Sequence, residues 1–219
     1  MITPYSTRQL VPRTAWRPIR ALTALLLTGI LSACATTPPI QPSTRIILST
    51  TERNQVVASL KYWQASGQAA LSTPKTSEDF GFRWKQSPQH QELSIYDPLG
   101  RTVARIEVDP QGAHLQLANG DTRQANNLDT LLALVLHVEL PASELPDWML
   151  GLRSAAVTEQ QNPAGLPAVL HSGPWQIHYL QYAPVGGLTM PKLLQAMGPE
   201  GITLRLAITQ WRMGDHSAP

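Results

Sequence analysis

The 219-residue chain contains one cysteine. An intramolecular disulfide and a cysteine-based metal cluster are therefore excluded. No run of about 20 apolar residues occurs, so no segment has the length of a membrane-spanning helix. The sequence has no Gly-x-Ser-x-Gly nucleophile elbow, no Gly-rich phosphate loop and no His-Glu-x-x-His pair. Its six histidines are scattered; His171 and His178 are neighbours in sequence but not at a metal-ligand spacing. Glu78 and Asp79 stand side by side before a strand, so their side chains point apart and suit solvent better than joint acid–base work. These absences favour a binding function over an enzymatic one, and no metal is expected.

What is present begins at the N-terminus. Arg8, Arg13, Arg17 and Arg20 come first, and no acidic residue precedes Leu31. Ala21–Ile30 follows, apolar apart from Thr23, Thr28 and Gly29, and leads into Leu31-Ser32-Ala33-Cys34. A basic region, a short apolar region and a small-residue cleavage zone form a secretory signal peptide. The sole cysteine falls at the cut. This layout resembles the lipobox of bacterial lipoproteins, which implies cleavage before Cys34, with a covalent diacylglycerol and an N-acyl chain on Cys34; no other cofactor is expected. Two or more chains anchor a protein stably. The chain then divides into a signal peptide (1–33), a lipidated N-terminus with a Pro-rich tether (34–44), one domain (45–213) and a tail (214–219). The formal charge of +2 becomes −2 once the four signal-peptide arginines are removed. The isoelectric point of 8.9 thus belongs to the targeting segment, and nucleic acid is not a partner. Ala35 stands where enterobacterial-type sorting uses Asp to retain a lipoprotein in the inner membrane. By that analogy the protein belongs in the outer membrane, its body facing the periplasm. Thr36-Thr37-Pro38-Pro39-Ile40-Gln41-Pro42-Ser43 favours an extended tether.

The body is long enough for one domain with a sizeable core. Leu48, Val56, Leu60 and Trp63 fall near one helical face, which predicts helix within Thr44–Ser66, in one piece or two, with Gly67 ending it or opening a strand. The apolar period then becomes two. Phe80, Phe82 and Trp84 alternate with Gly81, Arg83 and Lys85, as do Ala104–Val108, Ala113–Leu117, Trp175–Tyr179 and Ile202–Ile208 with their polar neighbours. These are half-buried antiparallel strands. Asp97-Pro98-Leu99-Gly100, Asp109-Pro110-Gln111-Gly112, Asn119-Gly120-Asp121 and Gly198-Pro199-Glu200-Gly201 supply the turns. Leu128–Leu136 is apolar on nearly every side, with Asn127 as N-cap. Glu144–Leu150 suits a second short helix, capped by Ser143 and closed by Gly151. A helix apolar all round must be covered on all sides. The fold expected is mainly β: an open antiparallel barrel, or half-barrel, with a few helices over its concave face. Periodicity alone does not distinguish a filled interior from an empty one. The tryptophans Trp63, Trp84, Trp148, Trp175 and Trp211 suit either a packed sheet or an apolar pocket.

In Asp97-Pro98-Leu99-Gly100, each of Asp, Pro and Gly fits its place in a type I turn, and Leu99 occupies the tip, where a polar residue is usual. A single exposed leucine needs no explanation by itself.

The order of features resembles the LolB family of outer-membrane lipoprotein receptors. The resemblance rests on Leu31–Cys34, Tyr62–Leu71, Phe82–Gln86, Asp97–Gly100, Leu140-Pro141 leading into Leu145–Leu152, Trp175–Tyr179 with Tyr182, Met190-Pro191, and Leu204–Ile208 with Trp211. One departure is Gln68, where relatives often carry a basic residue. The resemblance implies an apolar cavity that receives the acyl chains of cargo lipoproteins from the periplasmic carrier LolA and releases them into outer-membrane phospholipid, without ATP. A monomer is expected. The resemblance assigns membrane insertion to the loop Pro98, Leu99 and Gly100. It points to Phe82, Trp84, Ile106, Leu115, Leu131, Leu132, Val135, Trp148, Ile177, Leu204 and Leu206 as cavity candidates. The alternative is an outer-membrane lipoprotein that acts as a scaffold in envelope assembly, with no cavity.

Overall fold

The computed structural model describes residues 48–152 and 159–214. The signal peptide, Cys34, the tether and residues 215–219 lie outside this range. The described chain opens with helix α1, Thr50–Ala58. Ser49 and Glu52 close a reciprocal capping box: the Ser49 N–H donates to Glu52 Oε2 at 3.0 Å, and the Glu52 N–H donates to Ser49 Oγ at 3.4 Å. The helix is shorter than its sequence pattern predicts and buries a different face. Arg53 and Val57 point inward, one turn apart, while Val56 is exposed. Trp63 belongs to the first strand. The pattern misleads there because Ala65, Ser66, Gly67, Ala69 and Ala70 are small and mask the two-residue period that Trp63, Ala65, Ala69 and Leu71 in fact follow.

Among the described residues, eleven antiparallel strands form one open sheet. β1 (Trp63–Ser72), β2 (Ser77–Gln86), β3 (Gln91–Tyr96), β4 (Thr102–Asp109), β5 (Gly112–Leu117) and β6 (Thr122–Ala125) make a first meander. β7 (Glu159–Gln161), β8 (Pro167–Ser172), β9 (Trp175–Val185), β10 (Leu188–Met197) and β11 (Thr203–Met213) make a second. The seam between the two meanders is β1 against β11, so the first and last strands sit mid-sheet and the edges are β6 and β7. Both edges are short, and β6 is polar (Thr122, Arg123, Gln124) and exposed, which limits pairing with other chains. At the seam the register shifts by one residue beside Gly67. A Cβ there would lie 1.9 Å from the Ala207 carbonyl oxygen, so only glycine fits.

Between β6 and β7 the chain passes through helix α2 (Leu128–Leu136), a 3-10 turn (Ala142–Glu144) and helix α3 (Leu145–Leu150). Asn127 caps α2 by accepting the Thr130 N–H at 2.8 Å. Gly151, at φ +64°, ends α3 in the left-handed conformation. Two expectations change. Ser143 does not cap α3; its N–H and Oγ each donate to the Asp129 carboxylate at 2.7 Å, tying the 3-10 turn to the first turn of α2. Nor is α2 covered all round. It rests on β5 and β6 through Leu128, Leu131 and Leu132, while Leu134 is 60% exposed and Leu136 38%.

The inner face of the sheet carries two differently filled regions. Over β8–β10, α3 packs tightly: Trp148 is fully buried, its ring lies 5.8 Å from that of Trp175, and its carbonyl accepts the Tyr179 hydroxyl at 2.9 Å. Over β1–β5 and β11, the space beneath α2 and α3 is open.

Candidate functional site

That open space is a pocket of about 330 Å³, within the range of small-ligand clefts. Of the sequence-predicted residues, Phe82 and Trp84 (β2), Ile106 (β4), Leu115 (β5), Leu132 and Val135 (α2), and Leu204 and Leu206 (β11) line it. They meet because the inward positions of neighbouring strands are in register: Trp84 faces Leu93, Leu93 faces Ile106, and Ile106 faces Leu115. Leu131, Trp148 and Ile177 do not line it. Leu131 lies one position further round α2 and is fully buried. Trp148 and Ile177 belong to the region over β8–β10, where both are fully buried and the Trp148 ring packs on Trp175. Leu140, Leu145 and Met149 also line the pocket and escape sequence reasoning. The signal for Leu145 and Met149 was the short helix read at Glu144–Leu150, which gives no indication of the surface it meets. Leu93 and Ile95 were missed because β3 alternates over too few residues to stand out.

The lining is hydrocarbon at depth, and its charged members, Glu78, Asp79 and Asp97, stand at the mouth. Trp84, a buried member of the lining, has its Nε1 satisfied by donation to Gln86 Oε1 at 3.2 Å. A space without polar partners does not hold water well and accepts an apolar guest. Among the described residues, no group of three or more His, Cys, Asp or Glu could hold a metal. No described helix is long and apolar enough to cross a membrane.

The loop between β3 and β4 rises at the mouth. Pro98 lines the pocket, and Leu99 at the tip is 80% exposed. Its backbone is tightly held. The Gly100 N–H donates to the Asp97 carbonyl at 2.9 Å, closing the type I turn, and Gly100 takes φ +81°. Asp97 Oδ1 accepts the N–H groups of Leu99 and Arg101, both at 2.9 Å, and Arg101 pairs with Oδ2 at 2.6 Å. The backbone N–H and the guanidinium of Arg101 hold the Asp97 carboxyl below its ordinary value. A lowered carboxyl contributes its stability above the unfolded-state value and loses it as pH falls through the lower, folded-state value. The tip is therefore expected to stay rigid at neutral and mildly acidic pH and to loosen only in strong acid. Amide exchange at Leu99 and Arg101, followed from pH 7 downward, checks this; loosening near pH 6 would contradict it.

A second feature positions the pocket wall. Arg53 is 1% exposed, and among the described residues no carboxylate is one of its hydrogen-bond partners. Its Nη2 donates to the Leu150 carbonyl at 2.5 Å, Nη1 to the Gly151 carbonyl at 3.3 Å and to Asn54 Oδ1 at 2.9 Å, and Nε to the Thr189 carbonyl at 2.9 Å. Burial pulls the pKa of its guanidinium below the usual arginine value. The guanidinium meets the negative end of α3, where a cation is favoured, and fixes the helix that carries Leu145 and Met149 into the pocket.

Comparison with known proteins agrees with this architecture. The sequence model of the family described as outer membrane lipoprotein LolB matches residues 61–211. The chain is 31% identical over 198 residues to the outer-membrane lipoprotein LolB of Alkalilimnicola ehrlichii, covering 89% of this chain and 97% of that one. It is 26% identical over 205 residues to the LolB of Vibrio cholerae, covering 90% and 96%. Among solved structures, a DUF1329-family protein of Desulfovibrio piger aligns with TM-score 0.53 at 10% identity, covering 76% of this chain and 91% of that one. A LolA-superfamily protein of Nitrosomonas europaea aligns with TM-score 0.51 at 9% identity, covering 77% and 94%. These two share the fold. With the family model matching most of the chain, the protein belongs to the LolB family of outer membrane lipoproteins.

Proposed function

We propose that the pocket receives the acyl chains of lipoproteins from a soluble periplasmic carrier of the LolA type and that the protein then inserts them into the inner leaflet of the outer membrane. Membership of the LolB family supports a role in lipoprotein localisation at that membrane. The observation that carries the finer reading is the 330 Å³ pocket lined with hydrocarbon at depth, its charge confined to the mouth. An acyl chain exposed to water costs about 0.8 kcal/mol per methylene, so a chain in transit needs such a shield. The shield must hold the chain less tightly than the bilayer does, and transfer then runs downhill on affinity differences alone. In this reading Cys34 carries the protein's own lipid anchor, the domain faces the periplasm and works as a monomer, and Leu99 enters the lipid surface during release.

The test is a transfer assay. The domain without its signal peptide, with Cys34→Ala, is mixed with carrier loaded with radiolabelled lipoprotein. Passage of label to the domain supports the proposal. No passage from a cognate carrier to the folded domain would leave a lipid-anchored scaffold as the better reading. A fluorescent fatty acid gives a second measurement. Val135 is half-buried and lines the pocket, so Val135→Gln is expected to fold yet to bind the probe about tenfold more weakly, because the amide would lose water without gaining a partner. Unaltered binding would place the probe elsewhere.

A further inference from the structure

Two exposed apolar elements border the pocket mouth. The β3–β4 tip presents Leu99, and Val103 beside it is 37% exposed. The second element is the later part of α2, where Leu134 and Leu136 are 60% and 38% exposed. Pro98 and Val103 from the first, and Val135 and Leu136 from the second, line the same pocket, so both elements stand at one opening. The polar side chains of α2 are Asp129 and Thr130, both in its first turn; from Leu131 onward it reads Leu-Leu-Ala-Leu-Val-Leu. Beyond that first turn the helix offers water no polar side chain. One exposed leucine is ordinary, but leucines on two elements around one apolar opening form a patch that calls for a partner.

We propose that the later part of α2, where Leu134 and Leu136 stand exposed on its two flanks, is a second lipid-contacting element, which together with Leu99 seats the pocket mouth on the bilayer surface. This rests on the reading of the pocket as an acyl-chain site. It adds a route: a chain leaves the pocket between two elements already immersed in lipid, without crossing water. Three observations favour a lipid surface as the occupant. A stable protein interface engages about 20–30 residues a side, whereas here a few apolar side chains stand on separate elements, each able to partition by itself. The chain from Cys34 to Leu48 spans at most roughly 50 Å when fully extended, so an anchored Cys34 keeps the domain close to its membrane at high effective concentration. The charged groups lining the mouth, Glu78, Asp79 and Asp97, are acidic, which suits zwitterionic headgroups better than anionic ones.

The mature lipidated chain has no free thiol, so an introduced cysteine can be labelled alone. Leu134→Cys, Leu99→Cys and Gln111→Cys, each carrying an environment-sensitive fluorophore, are reconstituted in phosphatidylethanolamine–phosphatidylcholine vesicles containing lipids spin-labelled on their acyl chains. Gln111 lies in the turn at the opposite end of β4 from Leu99. Positions 134 and 99 are expected to be quenched several-fold more than position 111. Quenching at 134 no greater than at 111 overturns the proposal. So does protection of position 134 by the carrier in the absence of lipid quenching, since the face would then serve a protein. Leu134→Glu, at an exposed position that does not line the pocket, is expected to release cargo into these vesicles about tenfold more slowly, with thermal stability and fatty-acid binding unchanged. An unchanged release rate overturns the proposal. Failure of the unsubstituted protein to bind the fatty acid would instead strike the reading of the pocket.

Discussion

Leu99→Glu is expected to leave the protein folded and loaded with cargo yet unable to release it into membranes. The side chain is 80% exposed, so the fold should shift by less than about 0.5 kcal/mol. The turn that carries it is built from Asp97, Gly100 and Arg101, and the leucine takes part only through its backbone N–H. Immersion in lipid is another matter. Burying a leucine side chain is worth about 1.5–3 kcal/mol, and a glutamate forfeits that and opposes entry with its own charge. A combined loss above about 3 kcal/mol corresponds to release at least about a hundredfold slower. Leu99→Ile should behave as the native protein, because it keeps the apolar surface. Normal release by Leu99→Glu into vesicles, measured with preloaded cargo, would remove the tip from the mechanism.

Arg53→Met is the second large effect, and it acts on stability. The guanidinium is buried and joins three segments: α1, which carries it, the C-terminus of α3, through the Leu150 and Gly151 carbonyls, and β10, through the Thr189 carbonyl. Methionine fills similar volume but leaves those carbonyls unpaired, at about 1–3 kcal/mol for each that water cannot reach. Relief from burying a charge without a carboxylate offsets part of this. A net loss of about 3 kcal/mol is expected, seen as a lower urea midpoint. Arg53→Lys should fall between the two, because one ammonium cannot reach carbonyls that the planar fork spans. Fatty-acid affinity should fall in parallel, since α3 supplies Leu145 and Met149 to the pocket. An unchanged midpoint would show that α3 is held by its apolar packing alone.

The contrast between these two residues shows what was legible in the sequence. Leu99 announced itself: its turn is set by local chemistry, and a leucine breaks the polar expectation at the tip. Arg53 gave no sign, because its partners are backbone carbonyls on α3 and β10, distant in sequence. The strands β2, β4, β5, β9 and β11 followed from alternation, as did α2 from its cap and its uninterrupted apolar run. β10 was hidden because bulges beside Pro191 and Leu193 break its alternation, and β1 because small residues mask its period. The same limit governed the pocket. Periodicity tells which side chains point inward; it does not tell whether what they meet is a helix or a space. Thus Trp84 and Ile177 looked alike in sequence, and only the placement of α3 over β8–β10 separates them. The exposure of Leu134 on a helix expected to be covered on all sides was likewise invisible, since what lies over a helix is not written in its own residues.

The seam of β1 against β11 has a consequence for how the molecule is made. The Thr209 hydroxyl donates to the Ser66 carbonyl across a separation of 143 residues. Hairpins within each meander close over short loops, but the pairing at mid-sheet waits for the last strand. As the chain emerges N-terminus first, β1 therefore remains an edge without its β11 partner until β11 has been made, and a truncation that removes β11 leaves the sheet in two halves.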